Sequence, residues 1–129
     1  MAKSPLSSDA CLAIIEAIPQ GVIVAATATR TFVYANPAAC SMFGYSRSDL
    51  EGRTLADVHP PEVVSAVAAV FDDHGIGVFP TVHRLPCLRK DGTLFYADMS
   101  GVRLVIDGTP CTAGFFVDVT ERLKAEQAL

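Results

Sequence analysis

Residues 89–119 read RKDGTLFYADMSGVRLVIDGTPCTAGFFVDV, and this stretch decides the fold. Two Asp-Gly pairs, Asp91-Gly92 and Asp107-Gly108, punctuate it. Both residue types tolerate the positive φ that tight hairpin turns require, so each pair predicts a reversal of the chain. Between the pairs, residues 93–106 alternate as a strand does, with Phe95, Ala97 and Met99 on one face and Asp98 and Ser100 on the other. Residues 109–119 form a further β-type run after the second turn, and residues 78–88 one before the first. Pro80 and Pro86 in that earlier run cannot donate to a ladder, which places it at a sheet edge or gives it a bulge. Two successive hairpins make a three-stranded antiparallel meander.

Toward the N-terminus the pattern is mixed. Ser8 and Asp9 precede Leu12, Ile15 and Ile18, one helical stripe behind an N-cap, and Pro19 and Gly21 end that helix. Residues 22–26 and 31–34 are two short β-type runs joined by the small, polar residues 27–30, a hairpin. Asn36-Pro37 starts a short helix: Asn caps free N–H groups, and proline at the first helical position sacrifices no hydrogen bond. Gly44 ends it. Leu50, Leu55 and Val58 are the inward residues of very short helical pieces, broken by His59-Pro60-Pro61. Residues 62–73 form the longest internal helix, with Val63, Val67, Val70 and Phe71 on one face, stopped by Gly75 and Gly77.

From Thr120 strong helix formers return, and Arg122 and Glu126 make an i,i+4 charge pair. This segment is too polar to bury itself, and the chain stops inside it. A helix continuing toward another domain of a longer protein is therefore expected.

Bulk properties bound the function. With 129 residues the chain closes one core, and 50% hydrophobic against 19% charged residues, with mean hydropathy +0.36, excludes wholesale disorder. The net charge of -4 and the absence of a clustered Lys/Arg run argue against nucleic acid. The apolar run at residues 10–15 is closed by Glu16, too short for a signal peptide, and no run approaches the roughly 20 residues of a membrane span. Cys11, Cys40, Cys87 and Cys111 show no C-x-x-C spacing and are read as buried free thiols of a cytoplasmic protein, with a disulfide pair among them as the alternative. No nucleophile–base, paired-carboxylate or H-x-x-x-H motif occurs, so no enzymatic activity is expected of this segment.

The words Asn36-Pro37-Ala38-Ala39, Phe43-Gly44-Tyr45-Ser46, Leu50-Glu51-Gly52-Arg53, His59-Pro60, Arg89-Lys90-Asp91-Gly92 and Asp118-Val119-Thr120-Glu121-Arg122, in this order, resemble the PAS family, in particular its sensory-box branch. The resemblance runs over residues 19–122. It implies an α+β fold: a five-stranded antiparallel sheet with short helices packed across one face, enclosing a pocket that in some members holds a small ligand. It also implies a regulatory role. Residues 1–18 would be a cap helix, 19–119 the sensory domain, and 120–129 the start of an exit helix. In relatives the junction at Asp118 and Thr120 passes signals to a covalently linked histidine kinase, diguanylate cyclase or further PAS repeat. A homodimer is expected, with the N-terminal helix packing on a second copy or on the sheet.

Two cofactors known in the family find little support in these residues, haem being the sharper hypothesis of the two and a haem-based sensor a further alternative. A haem-binding member would supply an axial histidine from the longer helix; here that helix is apolar, His74 lies at its end, and His59 precedes two prolines in a loop, so both are read as solvent-facing or capping. His83 lies on a strand, and its side is left open by the sequence. A flavin-binding light-oxygen-voltage member would carry an Asn-Cys-Arg-Phe-Leu-like word, which is absent, and Cys40 is read as a packing thiol. Pocket candidates are Tyr34, Arg84, Phe95, Met99 and Phe115 on the sheet and Phe43, Val67 and Phe71 on the helical side. For all but Arg84 ordinary core packing is the first reading. Arg84 either faces water or, turned inward, needs an anionic partner such as a carboxylate ligand. A small-molecule sensor with a real cavity and a ligand-free dimerisation and relay module fit this pattern equally.

Overall fold

Both Asp-Gly pairs turn the chain. A computed structural model describes residues 7–72 and 77–127. Among them the elements are α1 (Ser8–Ala17), β1 (Gly21–Ala26), β2 (Phe32–Ala35), α2 (Pro37–Phe43), α3 (Arg47–Leu50), α4 (Leu55–Val58), α5 (Pro61–Asp72), β3 (Gly77–Leu88), β4 (Leu94–Ile106), β5 (Thr109–Asp118) and α6 (Thr120–Gln127). The strands form one antiparallel sheet in the order β2-β1-β5-β4-β3. The last strand is thus central: β1 pairs with β5 from Gly21 opposite Phe116 to Ala26 opposite Cys111.

Asn36 does more than cap α2. Its Oδ1 accepts from Ala39 N at 2.9 Å and from Val22 N at 2.9 Å, while Nδ2 donates to the carbonyls of Ile15 and Gln20. One fully buried amide therefore ties the end of α1, the start of β1 and the start of α2, using both its donor and its acceptor capacity. Gly44 closes α2 in the left-handed region at φ 77°, where a Cβ would be strained.

The helices α2–α5 cover one face of the sheet. At the centre Phe43 meets Phe95 and Phe116 edge to face, with ring centroids 5.1 and 5.4 Å apart. Such pairs add about 0.5–1.5 kcal/mol beyond their buried area. Leu50, Leu55, Val58 and Val67 complete the helical side, with Val63 and Val70 partly buried against them. His74 and the side chain of Phe71 lie outside the described residues.

Edge strand β3 carries two register shifts, one between Phe79 and Val82 at Pro80 and one between Val82 and Leu85, while Pro86 keeps its register opposite Tyr96. Phe79 crosses beneath β4 at Gly101, where an added Cβ would lie 2.2 Å from the phenylalanine Cζ and 2.5 Å from the Ala113 carbonyl oxygen. Glycine is needed at that crossing.

The N-terminal helix departs from expectation. Its N-cap is Ser7, whose side chain accepts from Ala10 N, and the stripe Leu12, Ile15, Ile18 buries no residue fully: Leu12 is 49% exposed. Polar contacts hold α1 in place, chiefly Asn36 to the Ile15 carbonyl and Glu16 to Arg47 and Tyr34. Among the described residues no helix is long and apolar enough to cross a membrane.

Candidate functional site

The Asp107-Gly108 turn places Ile106 opposite Thr109, and the ladder then places Met99 opposite Phe116 and Ser100 opposite Phe115. Phe95, Ala97 and Met99 face the helices, so Phe116 faces them too. Phe115, chosen from the sequence, instead stands between Val22 and Ser100 on the other face and is half-buried. The inward member of the Phe-Phe pair is set by register alone.

Phe116, Met99, Ile23, Phe32, Leu55 and His59 are among the residues around an internal cavity of about 10 Å³. A single water needs on the order of 10–15 Å³ by such a measure. Phe43, Val67, Phe95 and Met99, named as pocket candidates, are fully or almost fully buried.

His59 is the C-cap of α4, one of the two places expected for it, but its ring does not face solvent. It is 1% exposed, and its Nδ1 lies 2.9 Å from the Pro86 carbonyl oxygen. A carbonyl only accepts, so Nδ1 carries the proton and Nε2 of the neutral ring can only accept. Burial pushes its pKa below the ordinary histidine value, and the Pro86 bond opposes this in part. The prolines that follow His59 mark a loop and hide its burial: Leu55 and Val58 share one helical face by i, i+3 spacing, and His59 follows them in extended conformation as the C-cap of α4.

Two other nominees leave the inner face. Tyr34 pairs with Val24, donates to Glu16 Oε2 at 2.8 Å and lies under the Arg47 guanidinium at 5.4 Å. Partial burial and the Glu16 bond push its phenol up to about 12, and the Arg47 and Tyr34 hydrogen bonds hold Glu16 low. Arg84 sits in the bulge of β3 at φ 54° with its side chain 66% exposed. An inward carboxylate-binding Arg84 is excluded. The inward arginine is Arg103, whose guanidinium lies 5.4 Å from the centre of the Phe79 ring. Odd-numbered parity along β4, continued from Phe95, points to it.

At the β5–α6 junction the nominated relay residues meet. Thr120 Oγ1 accepts from Tyr96 N at 3.0 Å, and Val119 N donates to the Tyr96 carbonyl at 2.8 Å. Asp118 Oδ1 accepts from Thr120 N at 2.9 Å, while its Oδ2 lies 3.7 Å from Arg89, whose guanidinium covers the Phe95 ring at 4.6 Å. These bonds cap the first turn of α6 and dock it on β4. An open groove of about 530 Å³, lined by Arg84, Arg89, Leu94, Tyr96, Leu123 and Lys124 among others, runs along the helix. Burial pushes the Cys87 thiol up to about 12, so it is no thiolate nucleophile. Among the described residues no group of His, Cys, Asp and Glu is placed to hold a metal ion.

A sequence model of the PAS domain matches residues 19–121. The chain belongs to the PAS domain family. Solved structures agree on the fold. The PAS domain of an HTR-like protein from Haloarcula marismortui superposes with a TM-score of 0.75 at 18% identity, over 86% of this chain and 90% of that one. A PAS domain from a two-component sensor histidine kinase gives 0.68 at 18% identity, over 84% and 92%. The PAS domain, in complex with ethanol, of a LuxR-family transcriptional regulator from Burkholderia thailandensis gives 0.65 at 20% identity, over 84% and 96%. Identities this low speak for fold alone. No match was found among curated proteins. The family and the five-stranded α+β architecture expected from the sequence both hold. A PAS domain is a regulatory sensory module of the kind used in signal transduction.

Proposed function

We propose that this PAS domain is the input module of a longer signalling protein, and that strand β4 carries changes in packing on the inner sheet face to α6. The observation that supports this most is the placement of Met99 and Tyr96 on opposite faces of the same strand. Met99 lines the His59 cavity, and Tyr96 holds Thr120 and Val119 at the helix start. Close-packed cores transmit displacement, so a shift at Met99 reaches the junction three residues away. The helix would pass it to a covalently linked kinase or cyclase output, in a cytoplasmic homodimer that covers the exposed Leu12 and Ile14 of α1.

A small-molecule stimulus is favoured by a separate observation, the neutral His59 beside the cavity. A guest of two or three heavy atoms with a hydroxyl donor could bond Nε2 if flexible Met99 gave way. The solved relative holding ethanol supports a guest of that class. Anything of haem or flavin size would have to displace the Phe43–Phe95–Phe116 cluster.

Met99→Ala tests the relay. Hydrogen exchange at the amides of residues 123–127 should accelerate severalfold more than at β1 and β5, because the wall of β4 has lost its inner support. Equal acceleration throughout, or none at α6, would remove β4 as the carrier. Native mass spectrometry with ethanol or a similar small alcohol reads the stimulus separately.

A further inference from the structure

The outer face of β4 carries a second connection to α6. Asp98, next to Met99 on the strand and only 18% exposed, divides the two oxygens of its carboxylate between two elements. Oδ1 accepts from Arg84 N at 3.0 Å. Arg84 is the left-handed residue of the β3 bulge, where the ladder skips from Val82 to Leu85, and its N–H has no ladder partner across that gap. The carboxylate supplies one, which is how a non-glycine residue is held at φ 54°. Oδ2 lies 3.6 Å from Arg122 Nη2 on α6 and 3.4 Å from His83 Nδ1 on β3. The Arg84 N–H is the largest cause of a pKa below the ordinary aspartate value, and His83 and Arg122 add to it. Two weaker contacts run in parallel: Arg84 to Glu126 at 4.0 Å and Arg122 to Glu126 at 3.8 Å.

Edge strand and exit helix thus meet at one side chain. We propose that Asp98 is a positioning residue that locks the bulge of edge strand β3 to the first turns of α6, so that movement of the edge strand turns the exit helix. It gives the relay a second track, beside Thr120 and Tyr96, that starts at the sheet edge. Its role in signalling rests on the relay reading above, but the coupling itself does not.

The two oxygens allow a clean dissection. Asp98→Asn keeps an acceptor for Arg84 N and removes the charge that faces Arg122, whereas Asp98→Ala removes both. Amide exchange is measured on the 129-residue chain. Asp98→Asn should accelerate exchange at residues 123–127 by about three- to fivefold, the scale of a partly exposed ion pair. The Arg84 amide should stay slow in that variant and become fast in Asp98→Ala, with β1 and β5 unchanged in both. Arg122→Gln should match Asp98→Asn at α6, and the double variant should add nothing further. Unchanged α6 exchange in both Asp98 variants would overturn the proposal. So would equal acceleration across the whole sheet, which would make Asp98 a general support, or additive effects of Asp98→Asn and Arg122→Gln. Failure of Met99→Ala to reach α6 would remove the relay reading and leave this coupling standing.

Discussion

Phe115 and Phe116 are adjacent, chemically identical and separable by one substitution each. Phe116 is 5% exposed, meets Phe43 edge to face at 5.4 Å and lines the cavity with Met99. Truncating it to alanine removes a fully packed ring and enlarges an existing void, which places the cost at about 3–5 kcal/mol. Phe115 is half-buried beside Val22 and Ser100, outside the cluster that packs under the helices, so Phe115→Ala should cost less than about 1.5 kcal/mol. Urea unfolding followed by circular dichroism measures both. In a thermal melt, at roughly 3–5 °C per kcal/mol for a domain of this size, Phe116→Ala should melt about 9–25 °C lower and Phe115→Ala less than about 8 °C lower. A stability of 5–15 kcal/mol is typical of single domains, so Phe116→Leu, which keeps most of the apolar bulk, serves if the alanine variant does not fold. Equal losses, or a larger loss at Phe115, would refute the register that puts Phe116 inward.

Two further outcomes follow from the same packing. Gly101→Ala should destabilise the domain by about 3 kcal/mol or prevent folding, because the new Cβ meets the Phe79 ring and the rigid Ala113 carbonyl, and Phe79→Ala should relieve part of that loss in a double-variant melt; an undisturbed Gly101→Ala would deny the crossing. Stability should fall as pH drops below about 6.5, the ordinary histidine value: His59 has a depressed folded pKa, so over that window the unfolded chain takes up a proton that the folded chain refuses. Urea midpoints between pH 5 and 7.5 should show this slope in the parent protein and a flatter one in His59→Asn; an unchanged slope would assign it to other groups.

How much was legible from sequence depended on the range of each signal. Turns and caps act within four residues. Asp91-Gly92, Asp107-Gly108, Asn36-Pro37 and Gly44 each behave as their local chemistry requires, and with the alternation of Phe95, Ala97 and Met99 they are enough to write the element order and the family. The prolines of β3 predicted an edge position or a bulge, and β3 is an edge strand with one of its two register shifts at Pro80. Asp118 and Thr120 could be named because their bonds close over two residues or across one hairpin.

The misplaced residues all turn on a question that local patterns do not ask: which face, and against what. Phe115 was preferred to Phe116 although counting across the Asp107-Gly108 turn from Met99 selects Phe116. Tyr34 faces away because β2 joins β1 with a bulge, and Arg84 faces water because a second bulge interrupts β3. His59 is inside because α4 folds it under Pro86, a residue 27 positions away. The amino-acid sequence by itself determined where this chain turns, caps and alternates, since those preferences are properties of single residues and their immediate neighbours. Only the tertiary structure decided that the last strand lies in the middle of the sheet, that a histidine is buried beside the cavity and that Asp98 joins the edge strand to the exit helix. Each of those depends on pairing distant segments, and a one-residue difference in register exchanges inside for outside.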